Sequence, residues 1–413
     1  MKQSARKRSR MINVAVLGYG TIGSGVVEVL NINRENIAKR AGKEIQVKYV
    51  LDLRDFPGDP VQNILVHDFK VIADDPEVDI VVEVMGGVEP AYSFVKECLL
   101  RKKSVCTSNK ELVAKHGAEL LEIARQQKVN FLFEASVGGG IPIIRPLNQS
   151  LTADEIMEIT GILNGTTNYI LSQMHDHGKG FEEALKDAQS KGYAEKNPTA
   201  DIEGYDACRK IAILASLAYG MQVDFEDIYT EGITKITKED MQYADALHAS
   251  IKLFATGKRE GEQFFAMIAP RMIRANHPLF SVNDVFNGIL VRGNVLGDVM
   301  FYGSGAGKLP TASAVVADVV DAAKHEGTNI MTLWSNKKLA LSDVKNATNT
   351  FFVRVPADQK DAALAAFGNV NEVNAVVDGE FAFLTESMTE AAFEEAAQKV
   401  QVISRIRTDF NEI

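Results

Sequence analysis

Three glycines near the start of the chain constrain its fold more than any other feature. An apolar run over residues 12–17 predicts a strand, and Gly18, Gly20 and Gly23 follow it as G-x-G-x-x-G before a helical pattern begins. The first glycine permits a tight turn, the second lets a backbone approach a pyrophosphate, and the third lets the helix pack against the strand. The helix N-terminus would then face the phosphates. The pattern predicts a dinucleotide-binding unit, and a glycine-rich turn without a ligand is the alternative.

The end of the second predicted strand carries two side chains of opposite charge. Asp52 and Arg54 follow the strand segment EIQVKYVL. An acid here binds a ribose 2′-hydroxyl and favours NAD, whereas an arginine pairs with a 2′-phosphate and favours NADP. A solvated loop charge is the alternative for Arg54. We expect NADP as the cofactor, without excluding NAD.

The next two strands of this sheet are expected to end at the ligand. VDIVVEVMGG is a buried strand that ends in glycines, and ligands of such sheets bind beyond the carboxyl ends of the strands. SVCTSNKELVAKHG then predicts a short strand, a loop and a helix that Lys110 opens. A lysine is unfavourable at a helix N-terminus, so Lys110 is a site candidate, with a plain surface lysine as the alternative. Cys106 lies in the apolar strand and is expected to be core, not a nucleophile.

A run of three glycines follows a further strand. VNFLFEASVGGGIPIIRPL predicts a strand, the glycines 138–140 and a helix that opens near Pro142. With Glu134, carbonyls freed by the glycines could hold a hard cation through oxygen ligands. On composition and spacing alone, a tight turn without a cation is the favoured interpretation.

Charged residues open a helix that is otherwise apolar. The helix is predicted from near Asp201 or Ile202 into KIAILASLAYG, with Glu203, Asp206 and Lys210 on one face. A surface salt-bridge ladder is the plain interpretation. Because the apolar continuation favours burial, the charged turns could instead line a cleft. Residue spacing leaves both alternatives open.

The helix before it has an unusually polar first turn. It lies in GILNGTTNYILSQM and is expected to be capped near Asn164 or Thr166, with a solvated first turn as the alternative to a site. His175 and His177, near its end, are expected to lie in a solvated turn and not at a metal. Gly192 is expected to be the C-cap at the end of the next helix.

Composition argues against several classes of protein. The chain has 413 residues and a formal net charge of −10, which disfavours a nucleic-acid partner. No run of about 20 apolar residues predicts a membrane span. Three cysteines without paired spacing fit a reducing cytoplasm. The basic residues 1–10 are expected to be a disordered leader before a second start at Met11, since no signal-peptide cleavage site follows them.

Six segments resemble those of the homoserine dehydrogenase family. In the family's order, across residues 11–345, they are GYGTIGSGV, TSNKELVA, FEASVGGGIPIIRPL, GILNGTTNYIL, KGYAEKNPTADIEGYDACRK and YGSGAGKLPTASAVVADVV. The resemblance implies reversible, NAD(P)-dependent reduction of L-aspartate 4-semialdehyde to L-homoserine, in threonine and methionine biosynthesis. It also implies a homodimer or a higher homo-oligomer.

The resemblance further implies roles for individual residues. Lys210 would be the general acid and base, and Asp206 would orient it or bind substrate. Glu195 would hold the substrate's amino group, and Lys110 would stabilise the developing alkoxide near the nicotinamide.

Two larger sets of residues are assigned to bound groups. The resemblance implies a monovalent cation such as Na⁺, held largely by backbone carbonyls, at Glu134, Val137, Gly139 and Ile141, in place of the turn without a cation that composition and spacing favour. Cofactor contacts are assigned to Gly18, Gly20, Thr21, Ile22, Gly23, Arg54, Met85, Gly86, Ser108, Lys110, Gly192, Gly305 and Gly307.

The last segment of the chain changes character. Its predicted order is strand, helix, strand, strand, helix, strand, with a hairpin turn at Asp378 and Gly379, and this order resembles an ACT regulatory domain. In the family such a domain often binds an end-product amino acid as effector. The acidic-x-Pro-Gly turn usual after the first strand is replaced by VPADQKDAA. A packing or dimerisation domain is the alternative.

The predicted fold class is therefore α/β with several parts. We expect a Rossmann-type dinucleotide-binding domain over residues 11–140 and an α+β catalytic, substrate-binding and dimerisation domain over 141–306. A helix over 307–345 returns to the nucleotide domain, and an ACT-like βαββαβ domain covers 346–413. Two other functions are alternatives: a related semialdehyde or amino-acid dehydrogenase, and a cofactor-binding regulator without catalysis.

Overall fold

The structure, a computed structural model, describes residues 11–410. The predicted leader, residues 1–10, lies outside the described part of the chain. No helix within residues 11–410 is both long enough and apolar enough to cross a membrane.

The first part of the chain alternates strands and helices. In order they are β1 (Ile12–Leu17), α1 (Thr21–Ile32), α2 (Arg34–Ala41), β2 (Ile45–Leu51), β3 (Leu65–Val66), α3 (Phe69–Ala73), β4 (Ile80–Glu83), α4 (Ala91–Leu100), β5 (Ser104–Thr107), α5 (Lys110–Gln127) and β6 (Phe131–Leu132). The six strands are parallel and lie in the order β3-β2-β1-β4-β5-β6. This is the strand order of dinucleotide-binding folds, so the Rossmann-like prediction is confirmed.

The middle of the chain mixes helices with long antiparallel strands. The elements are β7 (Ile156–Ile162), α6 (Gly165–His177), α7 (Phe181–Ser190), α8 (Thr199–Ile202), α9 (Tyr205–Tyr219), β8 (Met221–Gln222), β9 (Tyr229–Thr230), α10 (Lys238–Ala246), β10 (Ala249–Glu260), β11 (Gln263–Arg274), β12 (Phe286–Gly293), β13 (Gly297–Ser304), α11 (Lys308–Lys324) and β14 (Ser335–Lys338).

The C-terminal segment, residues 346–410, follows the predicted order of elements. It contains β15 (Thr348–Pro356), α12 (Lys360–Phe367), β16 (Val370–Val373), β17 (Glu380–Thr385), β18 (Met388–Thr389), α13 (Glu390–Ala397) and β19 (Ser404–Asp409). Asp378 and Gly379 do form the centre of a turn, closed by Glu380 N–H donating to the Val377 carbonyl at 3.4 Å. The hairpin loop is longer than that turn, because Val373 pairs with Ala382.

The chain divides into two compact units. The first contains residues 11–152, 216–222 and 304–338, and the second contains 153–215, 223–303 and 339–410. In the first unit α11 packs on α1, where a Cβ at Gly25 would lie 2.9 Å from the Lys308 carbonyl oxygen. A glycine is therefore required for this close helix contact.

One large sheet runs through the second unit. Its main path is β13-β12-β7-β10-β11-β19-β15-β17-β16. The strand β19 pairs in parallel with β11 on one side and antiparallel with β15 on the other. The C-terminal segment thus extends the sheet of the middle region by backbone hydrogen bonds.

Two predicted helix boundaries were wrong. The charged stretch is not the start of one long helix: α8 ends at Ile202, Gly204 adopts a φ of +84°, and α9 begins at Tyr205. Glu203 therefore does not share a helix face with Asp206 and Lys210. The break is tertiary in origin, because methyl groups of Thr230 and Ile268 fill the space where a Cβ of Gly204 would lie.

The helix predicted near Pro142 begins later, at Ile144, and continues as a π-helix over Pro146–Ser150. The side chain of Glu134 sets this start. Its carboxylate accepts hydrogen bonds from the backbone N–H groups of Ile143, Ile144 and Arg145 at 2.6 to 2.8 Å. A buried carboxylate thereby serves as the cap of a helix that begins ten residues later in the chain.

A buried lysine lies on the long strand β10. Lys252 is 1% exposed, and its Nζ donates to the Val282 carbonyl at 2.8 Å and to Asn283 Oδ1 at 2.6 Å. Burial lowers the pKa of Lys252 to about 8.

We expect this lysine to make stability depend on alkaline pH. Between pH 8 and 10.5 the unfolded chain holds a proton that the folded chain lacks, so the free energy of unfolding rises with pH, by up to about 3 kcal/mol. Below pH 8 both states are protonated and the gain is lost. Urea unfolding across this window should show a steeper rise for the wild type than for Lys252→Met, and equal slopes would contradict the expectation.

Candidate active site

The glycine turn after β1 has the geometry that the fingerprint predicts. Gly18 has a φ of +96°, and its N–H donates to the Leu51 carbonyl at 2.8 Å. A Cβ at Gly23 would lie 1.9 Å from the Gly18 carbonyl oxygen, whereas a Cβ at Gly20 would meet nothing within 4 Å. The turn itself therefore requires Gly18 and Gly23, whereas Gly20 borders open space. Thr21 and Ile22 form the first turn of α1, so their N–H groups lie at its N-terminus.

Asp52 and Arg54 form one ion pair beside this turn. Arg54 Nε lies 2.9 Å from Asp52 Oδ1, and Asp52 Oδ2 accepts the N–H of Tyr19 at 2.8 Å. The Arg54 guanidinium holds the pKa of Asp52 well below its usual range. The Arg54 side chain is 64% exposed, so it remains accessible to an anion while it is paired. The structure thus holds the acid and the arginine together beside the glycine turn.

A buried carboxylate that the sequence reasoning missed organises the ends of β4 and β5. Glu83 is 0% exposed; it accepts the N–H of Met85 at 2.8 Å and the Thr107 hydroxyl at 2.6 Å. Burial raises the pKa of Glu83, and these hydrogen bonds oppose the shift. The last residue of an apolar strand, followed by glycines, was the available signal.

The network continues into the helix that Lys110 opens. The Thr107 hydroxyl accepts the N–H of Asn109 at 2.9 Å, and the Asn109 side chain accepts the N–H of Leu112 at 3.1 Å as the N-cap of α5. Asn109 also donates to the Gly87 carbonyl at 2.6 Å. The loop after β4, which contains Met85 and Gly86, and the loop after β5, which contains Ser108, are thus held by one set of hydrogen bonds.

We expect Glu83→Gln to weaken cofactor binding, because an amide accepts hydrogen bonds at one oxygen only, whereas Met85 N–H and the Thr107 hydroxyl reach different oxygens of the carboxylate. One buried donor would lose its partner, at a cost of about 1.5 to 3 kcal/mol. If the two loops transmit this cost to cofactor binding, the Kd rises roughly 10- to 100-fold. Fluorescence titration with NADPH measures that Kd, with circular dichroism as the check on folding. An unchanged Kd in a folded variant would show that the loops do not depend on Glu83.

The glycines 138–140 form a compressed loop next to Gly305. A Cβ at Gly138 would lie 2.6 Å from the Ile141 carbonyl oxygen, and a Cβ at Gly139, whose φ is +56°, would lie 2.3 Å from the Gly305 carbonyl oxygen. Gly307 then serves as the N-cap of α11 with a φ of +116°. Close backbone approach is therefore the reason for several of these glycines. The Glu134 carboxylate is committed to its helix cap, so any cation here would rely on backbone carbonyls.

None of the three cysteines, all within the described residues, suits a nucleophile. Cys98, Cys106 and Cys208 are buried. Burial raises the pKa of Cys98 to about 12 and that of Cys106 well above its ordinary value. The thiolate is the reactive form, so aldehyde oxidation through a covalent thioester has no suitable residue.

In the second unit, the residues predicted from α6 and α9 meet in one cluster. Lys210 Nζ lies 2.8 Å from Asp206 Oδ2 and donates to the Leu163 carbonyl at 2.7 Å. The Asn164 amide donates to Asp206 Oδ2 at 2.9 Å and to Asp201 Oδ1 at 2.8 Å. We call Asn164, Asp201, Asp206 and Lys210 the acid–base cluster. Lys210 and Asp206 are 9% and 5% exposed, so this is no surface salt-bridge ladder.

The polar first turn of α6 is mostly buried. Asn164 caps it by accepting the N–H of Thr167 at 2.9 Å. Thr167 and Asn168 are 1% exposed, and Asn168 donates to the carbonyls of residues 282, 284 and 286. Thr166 donates to the Tyr193 carbonyl at 2.5 Å, which anchors the loop after Gly192. Asn164, Thr167 and Asn168 are thus buried and make hydrogen bonds within the protein, while Thr166 is half-buried, so the alternative of a fully solvated first turn was wrong.

Glu195 lies outside the hydrogen-bonded acid–base cluster. It is exposed on the loop between α7 and α8, where its backbone carbonyl accepts the Gln189 amide at 3.0 Å. Among the described residues, the hydrogen bonds that join the acid–base cluster do not include its side chain. Gly192, with a φ of +74°, follows the end of α7 as predicted.

Two family models match this chain. One, described as homoserine dehydrogenase, matches residues 142–320, and the other, its NAD binding domain, matches residues 18–134. A homoserine dehydrogenase of Synechocystis sp. is 47% identical over 316 residues, which cover 75% of this chain and 73% of that protein. The chain belongs to the homoserine dehydrogenase family.

Solved structures agree with this assignment. A homoserine dehydrogenase from Thiobacillus denitrificans is 36% identical with a TM-score of 0.86 and covers 97% of this chain and 99% of that one. A hyperthermophilic archaeal homoserine dehydrogenase in complex with NADPH is 28% identical with a TM-score of 0.65, covering 76% and 98%. As a homoserine dehydrogenase, the chain is an NAD(P)-dependent oxidoreductase that acts on a CH–OH group.

Proposed function

We propose that this homoserine dehydrogenase reversibly reduces L-aspartate 4-semialdehyde to L-homoserine with Lys210 as the general acid and base. The observation that carries the proposal is the buried Lys210 Nζ, held 2.8 Å from Asp206 Oδ2. A family member that acts on a CH–OH group must deliver and remove one proton at that oxygen. Lys210 is a proton donor that its neighbours hold in one place. Production of L-homoserine is consistent with threonine and methionine biosynthesis.

The roles proposed for the chain's own residues are proton transfer and the orientation of the reacting groups. The nicotinamide cofactor supplies or accepts the hydride at the substrate carbon. Lys210 would protonate the carbonyl oxygen during reduction and accept the same proton during oxidation. Asp206 would fix the lysine, and the carbonyl of Leu163 would add a second hydrogen-bond acceptor for Nζ. Such fixed geometry lowers the barrier because less freedom is lost when the proton transfers.

Two further residues are proposed to assist. Lys110, the first residue of α5, would stabilise negative charge on the developing alkoxide. Its place is supported by the buried network of Glu83, Thr107 and Asn109. Glu195 would bind the substrate's amino group, which suits an exposed carboxylate on a loop that can adjust to a ligand.

NADP is the proposed cofactor, and NAD is the alternative. The fit rests on the open space at Gly20, on the N-terminus of α1, whose N-cap Gly20 makes no side-chain capping hydrogen bond, and on a guanidinium beside the turn. Arg54 would release part of its contact with Asp52 to pair with a 2′-phosphate. The further contacts proposed to hold the cofactor are Gly18, Thr21, Ile22, Gly23, Met85, Gly86, Ser108, Lys110, Gly192, Gly305 and Gly307.

A monovalent cation is proposed at the compressed loop. The ligands would be backbone carbonyls of Glu134, Val137, Gly139 and Ile141, because the carboxylate of Glu134 already accepts three N–H groups. Carbonyl oxygens are hard ligands suited to a hard cation.

The remaining proposals concern assembly and regulation. The C-terminal segment has the order and the sheet arrangement of a βαββαβ domain, with β19, β15, β17 and β16 adjacent in that sequence. We propose that it is ACT-like and binds an amino-acid effector. Residues 141–306 would supply substrate binding and dimerisation in a cytoplasmic homodimer or higher homo-oligomer.

The deciding experiment is oxidation of NADPH with L-aspartate 4-semialdehyde, with NADH in parallel, for wild type and Arg54→Ala. Turnover supports the proposal, and a higher KM for NADPH but not for NADH in the variant supports the cofactor preference. A folded wild type that binds NADPH without any turnover would overturn it and favour the regulator alternative.

A further inference from the structure

Two arginines of the C-terminal segment enclose one glutamate of the middle region. Arg407 is 1% exposed, and its Nη1 donates to Glu231 Oε2 at 2.8 Å. Arg405 Nη1 donates to the same oxygen at 3.0 Å. Arg407 also forms a bidentate pair with Glu390, at 2.6 and 2.9 Å. Two guanidinium groups thus balance two carboxylates, and we call Glu231, Arg405 and Arg407 the arginine clamp.

Backbone contacts with the large sheet of the second unit hold the arginine clamp in place. Glu231 N–H donates to the Ile268 carbonyl at 2.8 Å, directly after β9 pairs with β11. On the other side Arg407 lies opposite Arg271 of β11 in the parallel pairing of β19. Both arginines therefore project from β19 of the large sheet, and the glutamate follows β9 directly and is tied to β11 by its own N–H. Hydrogen bonds between charged, buried groups are strong and depend on geometry.

The residues after Glu231 press against the turn that precedes α9. A Cβ at Gly232 would lie 2.2 Å from the Ile202 carbonyl oxygen, and Ile233 N–H donates to that oxygen at 2.8 Å. The residue before Glu231 is Thr230, and its methyl group fills the space beside Gly204. The turn from Ile202 to Gly204 is therefore shaped by the segment that Glu231 anchors.

That turn carries the acid–base cluster on both sides. Asp201 precedes it and Asp206 follows it, and both accept hydrogen bonds from the one Asn164 amide. Asp206 in turn fixes Lys210 at 2.8 Å. A shift of the turn would change the separation of the two carboxylates and thus the position of Lys210 Nζ. The path from β19 to the lysine consists of hydrogen bonds and close backbone contacts throughout.

We propose that Glu231 is a positioning residue for the reaction, through which Arg405 and Arg407 of the C-terminal segment hold the acid–base cluster in its catalytic geometry. The inference rests on the proposed role of Lys210. It assigns the C-terminal segment a part in catalysis that requires no effector. An effector that moved β19 would act on turnover through the same contact.

The chain contains a matched control. Arg354 is a second buried arginine of the C-terminal segment; it donates to both oxygens of Glu380 at 2.7 and 2.8 Å and to Asp240 of α10 at 2.7 Å. The side chains of Glu380 and Glu231 are 12% and 19% exposed. Arg354 contacts α10. Helix α10 contacts α6 near the C-terminal end of α6, where His175 lies 3.0 Å from Asp245. Glu380→Gln therefore removes an equivalent charge without reaching Asn164.

The test compares Glu231→Gln with Glu380→Gln below the unfolding midpoint of both. We expect kcat to fall roughly 10-fold in Glu231→Gln only, with a shifted pH profile of kcat and an unchanged Kd for NADPH. Amide hydrogen exchange over residues 201–210 should be faster in Glu231→Gln only. The exchange measurement needs no turnover, so it tests the clamp even if wild type proves inactive on L-aspartate 4-semialdehyde. Equal kcat and equal exchange in the two folded variants would overturn the inference.

Discussion

Lys210→Met is expected to lower kcat by roughly 10²- to 10⁴-fold and to leave the Kd for NADPH unchanged. The side chain keeps its bulk but has no proton to give, while the glycine turn that is proposed to bind the cofactor is untouched. Steady-state reduction of L-aspartate 4-semialdehyde gives kcat, and fluorescence titration gives the Kd. Retention of a tenth or more of the wild-type kcat would show that another group, with Lys110 the first candidate, carries the proton.

Loss of a buried cation can also destabilise the fold, so two further variants are needed. Lys210→Arg keeps the charge and the pairing with Asp206, yet a guanidinium does not give up its proton near neutral pH. We expect it to fold and to be nearly as inactive as Lys210→Met. Lys252→Met removes the other buried lysine of the second unit, which bonds to Val282 and Asn283. It controls for the loss of a buried cation and should leave kcat within about threefold of wild type.

Alanine at Gly20 and alanine at Gly23 are expected to fail in different ways. At Gly20 the backbone is extended and a Cβ would meet nothing within 4 Å, so the free energy of unfolding should change by less than about 0.5 kcal/mol. The methyl group would occupy the space into which a pyrophosphate approaches, so the Kd for NADPH should rise roughly 10-fold or more. At Gly23 a Cβ would lie 1.9 Å from the Gly18 carbonyl oxygen, which costs about 1 to 3 kcal/mol of stability.

Urea unfolding and NADPH titration of both variants separate the two effects. Gly20→Ala should lose binding alone, and Gly23→Ala should lose binding and stability together. If Gly20→Ala bound NADPH as tightly as wild type, the cofactor would not approach the backbone at this turn, and the proposed binding mode would be wrong.

The most specific sequence predictions were confirmed where their cause is local. β1, the glycine turn and α1 follow from an apolar run and from spacing over fewer than 15 residues. The start of α5 at Lys110 and the cap of α6 at Asn164 follow from residues within one helical turn of each boundary. Lys210 and Asp206 meet because they stand four residues apart on one helix.

The sequence by itself thus determined the nucleotide-binding turn, the family and the pair at the centre of the acid–base cluster. Only the tertiary structure decided how that pair is held. The break at Gly204, the use of Glu134 as a helix cap and the buried network at Glu83 each depend on contacts between separate elements. The arginine clamp is the extreme case, since Glu231 and Arg407 are 176 residues apart. Local patterns cannot encode such contacts, because which distant groups meet depends on how the whole chain packs around them.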